Sequence, residues 1–215
     1  MQKRKKFTRV VPDEIKVSEL KIDDVTCGAT KCDEGYHCYS KKKTSLRKYG
    51  EQRVCKECGT DLIDWERIHK NDINDSDFVF EQLRTEIIRH VFWHNQIQVE
   101  ALHATYLQGK TKTREKALRL LKSRIGKYNN FMDGRQTPMG KEEIVNYAQH
   151  ATATCCRQCL EAWHNIKMEK PLTEQELNFC TDLVMKYITE RVPKLSADPV
   201  DEEIAKKLSY EHNKH

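Results

Sequence analysis

The chain has 215 residues, of which 38% are hydrophobic and 33% charged, a composition typical of a soluble globular protein with one domain or two small ones. No stretch approaches the about 20 consecutive apolar residues of a membrane-spanning helix, and no apolar signal-peptide segment follows the basic start at residues 1–9. These features argue against a membrane protein, so we expect a cytoplasmic one. The formal net charge of +5 is small but unevenly distributed.

The nine cysteines fall in two groups, one between residues 27 and 58 and one between residues 155 and 180. Thiols of cytosolic proteins stay reduced, so we expect these cysteines to be metal ligands and core residues rather than disulfides. Their grouping predicts two Zn²⁺ sites, one near each end of the chain.

Residues 1–24 mix lysines with acidic residues and contain few evenly spaced apolar positions, which predicts a flexible basic arm. Residues 25–70 then carry three cysteines, at 27, 32 and 38, followed by the turn Cys55-Lys-Glu-Cys58-Gly59. A C-x-x-C-G turn is typical of a zinc knuckle, since glycine adopts the backbone angle that the turn needs. We predict a zinc-ribbon or treble-clef-like module. Its expected ligands are Cys32, Cys38, Cys55 and Cys58, with Cys27 or His37 able to replace Cys32 or Cys38.

Two basic stretches make nucleic acid the first partner to consider. Between Lys110 and Lys127 there are eight Lys or Arg and the single acidic residue Glu115. A helix from Thr113 to Lys127 would expose most of them, although solvated lysines and arginines are also common on ordinary surface helices. The candidate phosphate contacts are Lys41, Lys42, Lys43, Arg47, Lys48, Arg114, Lys116, Arg119, Lys122 and Arg124.

A helix is predicted to begin near Asp75 or Asp77 and to continue to His94. In it Phe80, Leu83, Ile87 and Val91 share one face, and His90 and His94 lie in or beside it. Two buried neutral histidines would satisfy this pattern. The spacing of four residues also stacks both rings on one side, as in metal sites and acid-base pairs, with Glu86 one turn earlier.

The densest group of possible ligands lies between His150 and Ile166. There Cys156 and Cys159 form a C-x-x-C pair flanked by His150 and His164, and these four predict a second tetrahedral zinc site. Cys155 is expected in the core. An alternative is a 4Fe-4S cluster held by Cys155, Cys156, Cys159 and Cys180.

The last well-marked helix follows the capping box Thr173-x-x-Glu176 and ends before Pro193. This places a helical domain at residues 71–193. Residues 194–215 are polar and are expected to form a tail, with a short, weakly docked helix after Asp201. The fold class is therefore mainly α, with the N-terminal zinc module and a second metal site near the C terminus.

Three segments of the chain resemble those of a known family. They are Gly134-Arg-Gln-Thr-Pro-Met, then Gln149-His-Ala-Thr-Ala-Thr-Cys-Cys-Arg-x-Cys-Leu-x-x-Trp-His-x-Ile, and after it Leu-Thr-x-x-Glu. Over about residues 115–192 the chain resembles an uncharacterised bacterial family of small helical proteins, a domain of unknown function. Arg135 stands where lysine is expected. The shared positions imply that the loop and the cysteine motif act together: Asp133, Gly134, Gln136, Thr137, Pro138, His150, Cys155, Cys156, Arg157, Cys159, Trp163 and His164.

Three functions are compatible with this sequence. The first is a zinc-stabilised nucleic-acid-binding protein, acting in DNA or RNA processing or defence. The second is a hydrolase of nucleic acid or nucleotide, with a site built from His90, His94, Glu86, Asp133, Gln136 and Arg157, together with His150. The third is a structural adaptor whose zinc modules bind other proteins.

Overall fold

A computed structural model describes residues 20–128, 137–140 and 142–213, and in these residues the protein is mainly helical. No β-strand occurs in this described part, which contains only isolated bridges between Lys31 and Tyr36 and between His37 and Glu86. The helices are α1 (Lys42–Tyr49), α2 (Trp65–Ile68), α3 (Ser76–Leu83), α4 (Ile87–His94), α5 (Val99–Arg124), α6 (Ile144–Ala151), α7 (Arg157–His164), α8 (Glu174–Arg191) and α9 (Glu202–His212).

Helix α6 lies at the centre of the fold, and all eight of its residues are buried. It packs against α4, α5 and α8, so its polar side chains need partners inside the protein. Asn146 donates to the carbonyl of Gly140, and Gln149 donates to the carbonyl of Thr154. These bonds hold the chain on both sides of α6 and fix the position of the cysteine motif that follows.

The single helix expected from Asp75 to His94 is broken into α3 and α4. The break falls at Thr85 and Glu86, where the backbone of Glu86 is extended. The carbonyl of Thr85 accepts a hydrogen bond from the amide of His37 at 2.9 Å. A tertiary contact with the N-terminal segment therefore replaces one turn of helix, and the sequence around residue 85 does not reveal it.

Helix α5 changes direction at Gly109, whose φ of 67° and ψ of 174° are not helical. The amides of Lys110 and Thr111 bond instead to the carbonyls of Ser196 and Ala197. A Cβ atom at residue 109 would lie 2.5 Å from the backbone of Asp198, so glycine permits this close approach. The same approach lets α9 pack along α5, so the expected polar tail is docked over the described residues 194–213.

The N-terminal segment docks on α7 through an aromatic cluster. The ring of Trp65 lies 5.3 Å from that of Trp163, and Tyr39 packs edge-on against both. Such aromatic pairs stabilise by about 0.5–1.5 kcal/mol each beyond the area they bury. Lys42 adds a polar tie by donating to the carbonyl of Glu161 at 2.9 Å.

Candidate metal centres

Cys32, His37, Cys55 and Cys58 bring four donor atoms within 4.8 Å of one another. We call these four residues the first centre. The sulfurs of Cys32 and Cys55 are 3.8 Å apart, and Nδ1 of His37 is 3.4 Å from the sulfur of Cys58. Bonds of about 2.3 Å to a tetrahedral zinc ion place two sulfurs about 3.8 Å apart. The donors are therefore already spaced for one ion.

Two tight turns deliver these donors. In the second turn the amide of Gly59 bonds to the carbonyl of Cys55, and the amide of Glu57 points at the sulfur of Cys55. The φ of Gly59 is +73°, and a Cβ atom there would lie 2.8 Å from the ring of Tyr49. The C-x-x-C-G turn thus has the glycine-dependent form predicted from the sequence, although the described residues around it form no β-ladder of a zinc ribbon.

Hydrogen bonds among the donor groups of the first centre shift their pKa values. Burial lowers the pKa of His37, but its hydrogen bonds with Cys55 and Cys58 outweigh burial and raise that pKa to about 9. Hydrogen bonds from Cys32 and Cys58 hold the pKa of Cys55 far below its ordinary value. A thiolate at Cys55 is the protonation state that a metal ligand needs.

Cys38, a predicted ligand, lies outside this group of four and His37 stands in its place. The Cys38 sulfur is 3.2 Å from the carbonyl oxygen of Cys27 and 3.4 Å from the hydroxyl of Ser40. Neighbouring side chains on an extended segment point to opposite faces. Since His37 turns towards Cys58, Cys38 turns away from it.

A second set of donors surrounds the start of α7. Cys155, Cys156 and Cys159 lie within 4.8 Å of one another, and so do Cys27, His150 and Cys155. Cys155, expected in the core as an inert thiol, belongs to both groups. Cys27, expected as a reserve ligand for the first centre, belongs to this one.

His164 and Cys180 lie outside these groups. Nε2 of His164 is 2.9 Å from the carbonyl oxygen of Thr152, and its ring packs against Phe179. Five residues after Cys159, His164 points about 140° away from it around the helix. Burial raises the pKa of Cys180 to about 12, as expected for a core thiol. The described residues therefore do not assemble the cluster that was expected to include Cys180.

Arg89 contacts the second set of donors and was not identified from the sequence. It is fully buried, and its Nε donates to Glu86 at 3.2 Å. Its Nη2 donates to the sulfur of Cys159 at 3.0 Å, and its Nη1 points at the sulfur of Cys155 at 3.6 Å. The only sequence signal for it is the spacing of three residues between Glu86 and Arg89, which is typical of a helical ion pair.

The residues predicted for catalysis that the structure describes make contacts within the fold. Glu86 accepts from the amide of Tyr39 at 2.7 Å, in addition to its pair with Arg89. His90 and His94 stack with ring centroids 3.9 Å apart, and Nδ1 of His94 is 2.8 Å from the carbonyl oxygen of His90.

Arg157 donates to four carbonyl oxygens, those of Ile125, Lys167, Met168 and Lys170. It thereby holds two loops together. Asp133 and Gln136 lie outside the described residues.

Several predicted phosphate contacts are paired with the protein itself. The paired bases are Lys42 with Glu161, Lys48 with Glu57, Arg114 with Asp182 and Lys116 with Glu143. Arg124 donates to the side chains of Asn146 and Gln149. The other predicted contacts have no ion pair within the described part of the chain: Lys41, Lys43, Arg47, Arg119 and Lys122.

The fold and the donor groups together define a mainly helical protein with Cys/His clusters able to hold a metal ion. Residues 77–189 match the family described as Domain of unknown function (DUF4186). The match covers more than half of the chain, so the protein belongs to this family, and it begins well before the stretch from residue 115 on which the resemblance was based. No solved structure matches the chain. Within the described residues, every helix is too short or too polar to cross a membrane.

Proposed function

We propose that the protein is a zinc-stabilised nucleic-acid-binding protein that contacts phosphates through the second half of α5. The observation that carries this proposal is a row of exposed bases without an ion pair among the described residues. These bases are Lys112, Arg119, Lys122 and Lys127, and we call them the basic row. Glu115 is the one acidic residue in the same stretch.

Three other basic residues of α5 contact the protein itself and are therefore less suited to bind phosphates. Arg114 and Lys116 pair with Asp182 and Glu143, and Arg124 is held by amide oxygens of α6. These three fasten α5 to its neighbours, so a partner would have to displace protein contacts to reach them. The basic row has no such competition, and its positive charge is left to attract a polyanion.

The basic row is long enough to contact several phosphates. From Lys112 to Lys122 the helix rises about 15 Å at 1.5 Å per residue, and Lys112, Arg119 and Lys122 lie within an arc of about 80°. One strand of a nucleic acid rises about 3.4 Å per nucleotide, so this distance spans several phosphates. Tyr128 follows the helix and is 42% exposed, so its ring can stack on an unpaired base beside the row.

In this proposal zinc at the first centre has a structural role. Four protein donors complete a tetrahedral shell and leave no position for a catalytic water. His37 and Cys55 are fully buried, so the ion would be enclosed by the protein. Lys41, Lys43 and Arg47, which lie on or beside α1, are a smaller second group of candidate phosphate contacts.

The test reverses two charges of the basic row. We expect Arg119→Glu/Lys122→Glu to weaken binding of labelled 20-nucleotide single-stranded DNA and RNA by at least tenfold and to lower the salt dependence of binding by about two phosphate contacts. The matched control is Lys206→Glu/Lys207→Glu, which reverses two exposed bases of α9. Circular dichroism and zinc content establish that both variants are folded.

Two results would overturn the proposal. One is a wild-type protein that does not bind either probe at 50 mM salt. The other is an equal loss of affinity in the α5 and α9 variants, which would reflect net charge rather than a site.

A further inference from the structure

The donors around α7 come from two distant parts of the chain. Cys155, Cys156 and Cys159 lie in the DUF4186 region, whereas Cys27 lies before it. The sulfur of Cys27 nevertheless lies within 4.8 Å of the sulfur of Cys155. Cys156 caps α7, and its sulfur faces the amide of Cys159 at 3.5 Å, as in a zinc knuckle.

We propose that Cys27, Cys155, Cys156 and Cys159 bind one Zn²⁺ ion, and that this second centre fastens the N-terminal segment to the family domain. The proposal is independent of nucleic-acid binding and of the first centre, since it uses other donors. It replaces the two histidines of the sequence prediction with Cys27 and Cys155.

The spacing of the sulfurs favours one ion over an iron-sulfur cluster. Cys155, Cys156 and Cys159 lie within 4.8 Å of one another, close to the sulfur separation of about 3.8 Å around tetrahedral zinc. In a 4Fe-4S cluster each cysteine binds a different iron atom, so the four sulfurs must stand further apart. These three sulfurs would have to spread to accept a cluster, whereas they can face one ion together, with Cys27 beside Cys155 as the fourth donor.

Arg89 provides a second, independent observation. One edge of its buried guanidinium pairs with Glu86, and the other edge donates to the carbonyl oxygen of His150 at 2.5 Å and to the sulfurs of Cys159 and Cys155. A neutral thiol is a weak acceptor, and a buried charge needs a strong partner. The Nη2 group has the Cys159 sulfur as its acceptor, and a thiolate on a metal ion is a stronger acceptor than a neutral thiol. Hydrogen bonds to ligand sulfurs are typical of metal sites.

His150 is the remaining donor nearby. It lies within 4.8 Å of Cys27 and Cys155, and its Nε2 is 2.9 Å from the carbonyl oxygen of Thr137. We assign it a supporting position, and the zinc content of the His150→Gln variant tests this choice against Cys27. On binding, the four thiols release their protons to solvent and the ion remains divalent.

The first experiment measures zinc in the full-length protein by elemental analysis. We expect two zinc ions per chain in the wild type and one in Cys27→Ser, Cys156→Ser and Cys32→Ser. The matched control is Cys180→Ser, which removes a buried thiol outside both centres and should retain two. His150→Gln should also retain two.

A second measurement does not depend on the folding of a variant. Wild-type protein is treated with iodoacetamide, with and without prior chelation, and each cysteine is examined by mass spectrometry. Cys27 is only partly buried, so without a metal it should react readily. We expect at least a tenfold increase in its labelling after chelation.

The proposal would be overturned if Cys27→Ser retained two zinc ions, or if the wild-type centre contained iron and sulfide. Labelling of Cys27 that is equally fast before and after chelation would also overturn it. If only Cys32→Ser lost zinc, the proposal for the first centre would stand and the proposal for the second centre would be wrong.

Discussion

The two centres differ in how the chain builds them. The first takes all its donors from residues 32–58, two neighbouring turns of one segment, whereas the second joins Cys27 to a motif at the other end of the chain. A local site requires only that its turns form. A site assembled from distant segments requires the whole fold, and it stabilises that fold in return. Substitutions and metal removal at the two centres should therefore have different effects, and changes elsewhere in the fold serve as references.

Removal of metal should separate the two centres most clearly. Each centre has one partly exposed thiol, Cys32 in the first and Cys27 in the second. The second centre joins two distant segments, so its ion should leave only when the packing between them opens, and the first centre should release zinc sooner. Structural zinc contributes about 10–16 kcal/mol of apparent binding free energy in small modules, so loss of the first ion should unfold the turns of residues 32–58 locally. We expect two phases of zinc release, with the slow phase absent in Cys27→Ser. If the slow phase were absent in Cys32→Ser instead, it would belong to the first centre and not to the second.

Arg89→Met should lower the free energy of unfolding by about 3–5 kcal/mol, because it leaves the buried Glu86 carboxylate unpaired. The variant should also bind less zinc at the second centre and the normal amount at the first. Glu86→Gln/Arg89→Met should recover part of the lost stability, since it removes the unpaired charge. Chemical denaturation and zinc analysis measure both effects. Equal zinc loss from the two centres would show that Arg89 acts through global stability alone.

The lowered pKa of His90 predicts that the protein loses stability in acid, independently of either centre. Burial, with smaller contributions from His94 and Arg84, lowers the pKa of His90 to about 3. An unfolded histidine has a pKa of about 6.5, so between these values the unfolded chain binds the additional proton. Stability due to neutral His90 is therefore lost as the pH falls below about 6.5, and the loss levels off below about 3.

The variant His90→Leu isolates this effect. Between pH 7 and pH 4.5, the wild type should lose about 2–3 kcal/mol more of its free energy of unfolding than the variant does. Urea denaturation at the two pH values measures this difference. The same loss in both proteins would mean that His90 keeps its ordinary pKa.

Gly59→Ala should disturb the first centre without affecting the second. The substitution places a Cβ atom 2.8 Å from the ring of Tyr49 at a φ of +73°, which should cost about 1–3 kcal/mol. Gly50→Ala is the matched control, since Gly50 has a φ of +77° but no atom within 4 Å of the added Cβ. Its expected cost is about 1 kcal/mol. Denaturation and zinc affinity should differ between the two variants, and identical behaviour would argue against close packing in the C-x-x-C-G turn.

Thr173→Ala gives the smallest effect and serves as a reference. The Thr173 hydroxyl accepts from the amide of Glu176, and the Glu176 carboxylate accepts from the amide of Thr173, so the substitution removes one half of a capping box. We expect a loss of about 1 kcal/mol with two zinc ions retained. A loss of zinc in this variant would mean that both centres respond to any destabilisation.

The sequence predicted the elements that depend on local signals. The capping box at Thr173 and the end of α8 before Pro193 are confirmed, because the groups involved lie within a few residues of one another. The break between α3 and α4 was missed, since Glu86 and Thr85 are drawn out of the helix by Tyr39 and His37. An apolar periodicity cannot reveal a backbone contact made by another segment.

The candidate sites follow the same division. The spacing of Cys55 and Cys58 by itself marks a metal-binding turn, because both ligands of a C-x-x-C pair are set by four consecutive residues. The choice of His37 over Cys38, and of Cys27 and Cys155 as partners, was decided only by the tertiary structure. It depends on which face of the extended segment at residues 37–39 meets Glu86 and on how α7 packs against the N-terminal segment, and interactions between residues far apart in sequence determine both.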